Sequence, residues 1–166
     1  MKGIKSEGKI IVASIFLIIQ YALAFFVFKL PGWRPLQWLG WLVLVISIIF
    51  GIAPILIFKQ RGGVEKGKSF VHTARLVDTS LYAIVRHPQY LAGILFNIAM
   101  ILLAQHWLVL LIGLVSAGLI YLDIQTADQE GIEKFGDEYR QYMQRVPQVN
   151  FILGLIRIIK KRLTGI

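Results

Sequence analysis

Apolar residues in this chain come in long blocks rather than in stripes. "IIVASIFLIIQYALAFFVF" (Ile10–Phe28) and "LQWLGWLVLVISIIFGIAPILIF" (Leu36–Phe58) approach or exceed the ~20 residues with which an α-helix crosses ~30 Å of hydrocarbon. "YLAGILFNIAMILLA" (Tyr90–Ala104) and "WLVLLIGLVSAGLIYL" (Trp107–Leu122) are shorter, with only Gln105 and His106 between them. They read as a tight helical hairpin that spans twice; a single long buried helix is the alternative. The expected fold class is therefore an all-α integral membrane protein with about four transmembrane helices, a C-terminal helical hairpin and a cytoplasmic amphipathic tail.

The polar positions divide one membrane domain into segments. Residues 1–58 form a two-span pair with almost no chemistry. Lys59–Ser80, rich in Gly and charge, reads as a cytoplasmic loop. Residues 81–150 hold the second hairpin and nearly every polar group of interest. Within them Phe135, Tyr139, Tyr142 and Val146 fall at i, i+4, i+7 and i+11, one face of a helix over Thr126–Gln148. That stripe is expected to pack against the bundle or the headgroup layer. Residues 151–166, "FILGLIRIIKKRLTGI", read as a basic amphipathic helix on the inner leaflet.

Composition agrees with a lipid-embedded chain: of 166 residues, 57% are hydrophobic and 16% charged, against roughly 25% charged in soluble domains. The first block is longer than a signal-peptide core and lacks a small-residue cleavage site after it, so it is expected to stay. Without cysteine, disulfides, thiolate metal sites and a Cys nucleophile are excluded. With four spans, Lys29 and Arg34 face one side, and the other 16 of the 18 Lys and Arg residues face the opposite one, with all nine Asp and Glu. The positive-inside rule makes that side, with both termini, cytoplasmic. The net charge of +9 flanks the spans instead of forming a basic domain, which favours anionic headgroups over nucleic acid.

One stretch stands apart: "YAIVRHPQYLAGI", Tyr82–Ile94. Proline has φ preset for a first helical turn and lacks the N–H that would go unpaired there, so Pro88 is expected to start the third span with His87 near its N-cap. A helix amino end carries partial positive charge and outward N–H groups. With Arg86 and His87 it could hold a carboxylate or phosphate. The plainer account makes Arg86 a membrane anchor and His87 a cap. Tyr90 and Gly93, at i+4 and i+7 from Arg86, share its helix face, and Gly93 leaves that face open to a ligand or a neighbouring helix. Asn97 continues it into the membrane, where a polar side chain needs a partner.

"LVDTSLYAIVRHPQYLAGIL", the hairpin and then "FGDEYRQYMQRVP" together resemble the isoprenylcysteine carboxyl methyltransferase and phospholipid methyltransferase superfamily of integral membrane enzymes. The resemblance runs from about Arg75 to Pro147. It implies an S-adenosylmethionine-dependent methyltransferase without a Rossmann domain, and the chain has no G-x-G-x-x-G after a strand. It also implies a cofactor pocket on the cytoplasmic side, lined by the R-H-P-x-Y motif and by an acid beyond the last span. Carried over, His87, Pro88, Tyr90, Gly93 and Tyr82 are cofactor-binding candidates, with Asp128 and Glu130 for the cofactor's ammonium. Many members carry adjacent glutamates ahead of F-G; this chain reads "ADQEGIEKFG", which leaves the choice between Asp128 and Glu130 open. Arg86, and after it Arg145, are the catalytic candidates, placed to pair with a carboxylate or phosphate of the methyl acceptor.

Methyl transfer from a sulfonium needs in-line alignment at about 3 Å and a dry pocket more than acid–base machinery. The expected acceptor is a lipid or prenylated amphiphile, methylated on a carboxylate oxygen or an amine. No metal and no nucleic acid partner is expected, and the sequence is silent on oligomeric state. Two other readings stand beside this one: a non-enzymatic accessory protein that binds lipid headgroups, and a relative of nicotinamide-dependent membrane reductases.

Overall fold

The computed structural model describes residues 3–28, 32–63 and 74–164 of the chain, with side chains from residue 11 to 163. Lys29 of the first loop, and residues 64–73 of the connection expected over 59–80, lie outside the described residues. All regular structure among the described residues is helical. Six α-helices follow one another: α1 Gly3–Ala22, α2 Arg34–Arg61, α3 Pro88–Ala104, α4 Trp107–Phe135, α5 Asp137–Arg145 and α6 Phe151–Thr164. A wide π-helical turn, Leu23–Val27, extends α1, and a 3₁₀ turn, Ser80–Ala83, precedes α3.

α2 and α4 are long and apolar enough to cross a membrane, while Ile11–Val27 and Pro88–Ala104 are shorter apolar helices. Their outer surfaces are the inverse of a soluble protein's. Trp38, Leu42 and Ile52 on α2, and Leu111, Leu114 and Leu122 on α4, are all exposed. Contiguous apolar surface on this scale calls for lipid.

The chain divides into two compact units, Met1–Ile49 with Tyr90–Ala127, and Phe50–Gln89 with Asp128–Ile166. In the first unit, α3 and α4 form an antiparallel hairpin through the two-residue link Gln105–His106. Its core is Ala24, Ala99, Met100, Leu103, Ala104 and Val109. Small residues let the helices close. A side chain at Gly40 would meet Leu103 at 2.9 Å, and one at Gly93 would meet Ile120 Cδ1 at 3.0 Å. The face that Gly93 was expected to leave open is thus occupied by α4. Ser47 Oγ donates to the Ala92 carbonyl at 2.8 Å, and Asn97 Nδ2 donates to Gly93 O at 2.9 Å and Ser116 Oγ at 3.4 Å. Asn97 therefore ties α3 to α4. Gln105, at φ 47°, clamps the Trp33 backbone: its Oε1 accepts Trp33 N–H and its Nε2 donates to Trp33 O, both at 2.9 Å.

The second unit is built from the last part of α2, the segment leading into α3, the polar end of α4, α5 and α6. Here the continuous helix expected over Thr126–Gln148 is corrected. α4 runs thirteen residues past the apolar block that ends at Leu122, then breaks at Gly136, whose φ of 60° and ψ of −130° suit only glycine. α5 then starts in a new direction. The stripe survives the break: Tyr139, Tyr142 and Val146 form a buried cluster with Phe135 packed against it.

Candidate functional site

The R-H-P motif is held by backbone before any side chain acts. Arg86 N–H donates to the Pro147 carbonyl at 2.9 Å and His87 N–H to the Gln148 carbonyl at 3.0 Å. This pins the lead into α3 alongside the segment that leaves α5. Pro88 is the first residue of α3 and fully buried, where its missing N–H costs nothing.

Asp128 sits at the centre. It lies on the polar last third of α4, beyond the apolar block, and is 4% exposed. Its Oδ1 accepts from His87 Nε2 at 2.7 Å, Tyr139 Oη at 2.8 Å and Arg86 Nε at 3.3 Å. Its Oδ2 accepts from Arg86 Nη2 and Gln148 Nε2, both at 2.8 Å. Five donors fill the roughly four lone-pair positions of a carboxylate. Since an ionised carboxylate only accepts, His87 carries a proton on Nε2. Burial alone would raise the Asp128 pKa, but the hydrogen bonds from His87, Arg86 and Gln148 outweigh it and hold the carboxyl well below the usual range. The Tyr139 phenol shifts the other way, raised by burial and by its hydrogen bond to Asp128.

The F-G-x-x-Y-x-x-Y residues explain themselves in this setting. Gly136 turns the chain; Tyr139 reaches Asp128; Tyr142 Oη donates to the Tyr82 carbonyl at 2.6 Å. Gly131 on α4 makes room for the Tyr139 ring, which any side chain there would strike. The remaining Arg86 nitrogen, Nη1, donates to the carbonyls of Met143, at 3.0 Å, and Val146. It thereby neutralises the carboxyl end of α5, where partial negative charge gathers.

Of the residues predicted from sequence, Arg86, His87 and Asp128 meet directly. Pro88 is their neighbour in the chain, and Tyr82 contributes its carbonyl and stacks on Phe58 at 4.7 Å. The bidentate partner expected for Arg86 in a bound ligand is, in the folded chain, Asp128. Glu130 is exposed and apart from this cluster. Arg145 is exposed too, 3.7 Å from Asp78. Tyr90 belongs to a different constellation, within the first unit: its hydroxyl donates to Asp123 Oδ2 at 2.7 Å.

Three members were not singled out in advance. Asp123 is 2% exposed, a buried carboxylate directly after an apolar block, where an acid reads as a membrane-edge residue. Gln148 follows the V-P of the second motif with no signal of its own. Tyr139 was legible as part of a stripe but not as a donor to Asp128.

Membrane-length helices with a buried ionic cluster at the polar end of the last one define an all-helical membrane protein with its chemistry gathered on two motif segments. The sequence profile of the phospholipid methyltransferase family matches residues 36–134, and the chain belongs to that family. It is also similar to methanethiol S-methyltransferase 1 of Bradyrhizobium diazoefficiens, 45% identical over 67 residues. That match covers 40% of this chain and 22% of the relative, so the chain spans about a fifth of the length of that protein. No solved structure matches the chain.

Proposed function

We propose that this chain is an S-adenosylmethionine-dependent methyltransferase, inserted by four spans with both termini cytoplasmic, that methylates a lipid or prenylated amphiphile at the membrane face. The observation carrying this reading is the convergence on Asp128 of the two segments that bear the family resemblance. The name of the similar methanethiol S-methyltransferase adds a thiol to the carboxylate and amine as acceptor nucleophiles.

The residues fit the cofactor's charges. Its carboxylate suits the amino end of α3, and its ammonium calls for an acid. Asp128 is filled by five protein donors and Glu130 is exposed, so Asp123, buried and hydrogen-bonded to Tyr90, is the acid this reading assigns. Arg86, His87 and Asp128 then act as the frame that fixes the start of α3. When bound, S-adenosylmethionine supplies an electrophilic methyl group on a sulfonium. The leaving thioether is neutral, so no residue has to protonate it. A carboxylate acceptor needs no base, whereas an amine or thiol gives its proton to a carboxylate or imidazole.

Calorimetric titration of the detergent-purified protein with S-adenosylhomocysteine tests this. The expectation is micromolar binding, lost in Asp123→Asn and weakened about tenfold, or ~1.4 kcal/mol, in Tyr90→Phe. No binding at millimolar ligand by a protein with a cooperative unfolding transition would overturn the reading.

A further inference from the structure

α6 presents two faces that the cluster around Asp128 does not use. One side packs against the rest of the second unit. Gly154 lies so close to the Ile84 carbonyl that any side chain there would collide with it, and Phe151 packs near Phe50 at 6.3 Å. Beside this, Ile152, Ile156, Ile159 and Leu163 recur at i, i+4, i+7 and i+11, a single stripe on a 3.6-residue helix. They are 59%, 55%, 55% and 82% exposed. Lys160, Arg157 and Lys161 follow one edge of the stripe and Arg162 lies off the other, and no residue of the helix is acidic. Arg157 also reaches back, donating Nη1 to the Arg145 carbonyl at 2.9 Å, which holds the helix in this orientation.

An exposed apolar stripe bordered by cations of one sign matches one surface: an anionic bilayer, which takes the stripe among its acyl chains and the cations at its headgroups. The membrane-length helices of the same chain bring a bilayer within reach. We propose that α6 is an interfacial docking helix for anionic lipid, independent of whether the Asp128 and Asp123 constellations catalyse methyl transfer.

The absence of native cysteine makes the test direct. Single cysteines at Ile152, Ile156, Ile159 and Leu163, and at Arg157 and Lys160 for contrast, are labelled with bimane in the full chain. The protein is reconstituted in phosphatidylcholine vesicles with or without phosphatidylglycerol. The expected result is a blue-shifted emission, quenched by brominated acyl chains, at the four apolar positions and not at the basic ones. The quenching should be stronger with phosphatidylglycerol, and this gain should vanish when Arg157, Lys160, Lys161 and Arg162 are all changed to Gln. Equal water exposure at all six positions overturns the proposal, as does quenching indifferent to lipid charge. Shielding that persists in detergent, with crosslinking to another polypeptide, overturns it in favour of a protein partner.

Discussion

Asp128 takes five hydrogen bonds because three segments bring four donor residues to it, and its charge is correspondingly stabilised. A carboxyl whose folded pKa is depressed adds stability above its unfolded value of about 3.9 and loses it as pH falls through and below that value. The unfolding temperature of the purified protein should therefore drop as pH is lowered from 5 to 3. In Asp128→Asn that dependence should flatten, the variant being less stable at pH 7 by about 3–5 kcal/mol, because Arg86 is left buried without its counter-charge. Thermal unfolding followed by far-UV circular dichroism measures both; an unchanged pH profile in the variant would mean other carboxyls set it. Arg86→Lys should cost nearly as much as Arg86→Ala. A lysine cannot supply the fork that spans Asp128 Oδ1 and Oδ2 while also reaching Met143 and Val146 carbonyls.

Where the helices meet, two glycines carry the geometry for different reasons. Gly136 separates α4 from α5 by its backbone conformation, and nothing lies within 4 Å of where its side chain would be. Gly136→Ala should thus cost about 1–3 kcal/mol through φ/ψ strain alone, and no neighbouring substitution should relieve it. Gly113 is the opposite case. A Cβ there would fall 2.5 Å from Gln20 Nε2, which donates to the Val109 carbonyl at 2.9 Å from a fully buried position. Gly113→Ala should destabilise by a similar amount, yet adding Gln20→Ala should recover part of the loss. A double-mutant cycle by chemical denaturation separates the two cases: coupling of at least ~0.5 kcal/mol is expected for Gly113 with Gln20, and none for Gly136 with Gln20.

At the scale of the molecule, the readable features were those that local chemistry sets. The apolar blocks foretold α2 and α4 because hydrocarbon thickness sets the length of a membrane helix. Pro88 marked the start of α3 because its ring suits a first turn. The Tyr139–Tyr142–Val146 stripe showed through because helical spacing places those residues together even after the chain bends. What stayed hidden depends on distant partners or on backbone angles: the burial of Asp123 beside Tyr90, 33 residues earlier, the filling of Asp128 from three segments, and the break at Gly136. That α2 and α4 cross the membrane is a prediction that draws on both kinds of information. α2, 28 residues long, spans ~42 Å at 1.5 Å per residue, so its ends cannot lie on one face of a ~30 Å hydrocarbon layer if it crosses. Gln105 ties the α3–α4 link to Trp33, so both lie at the same end of the first unit. Trp33, Trp38, Trp41 and Trp107, all four tryptophans of the chain, belong to that end, as aromatic side chains do at a membrane–water boundary. Single cysteines at Gly32 and His106 should therefore react from one side of sealed spheroplasts with an impermeant maleimide, and those at Gly63 and Asp137 from the other. Labelling of all four from the same side would mean that α2 and α4 lie along the membrane instead of through it. The lipid-facing residues of both helices would then need a different cover.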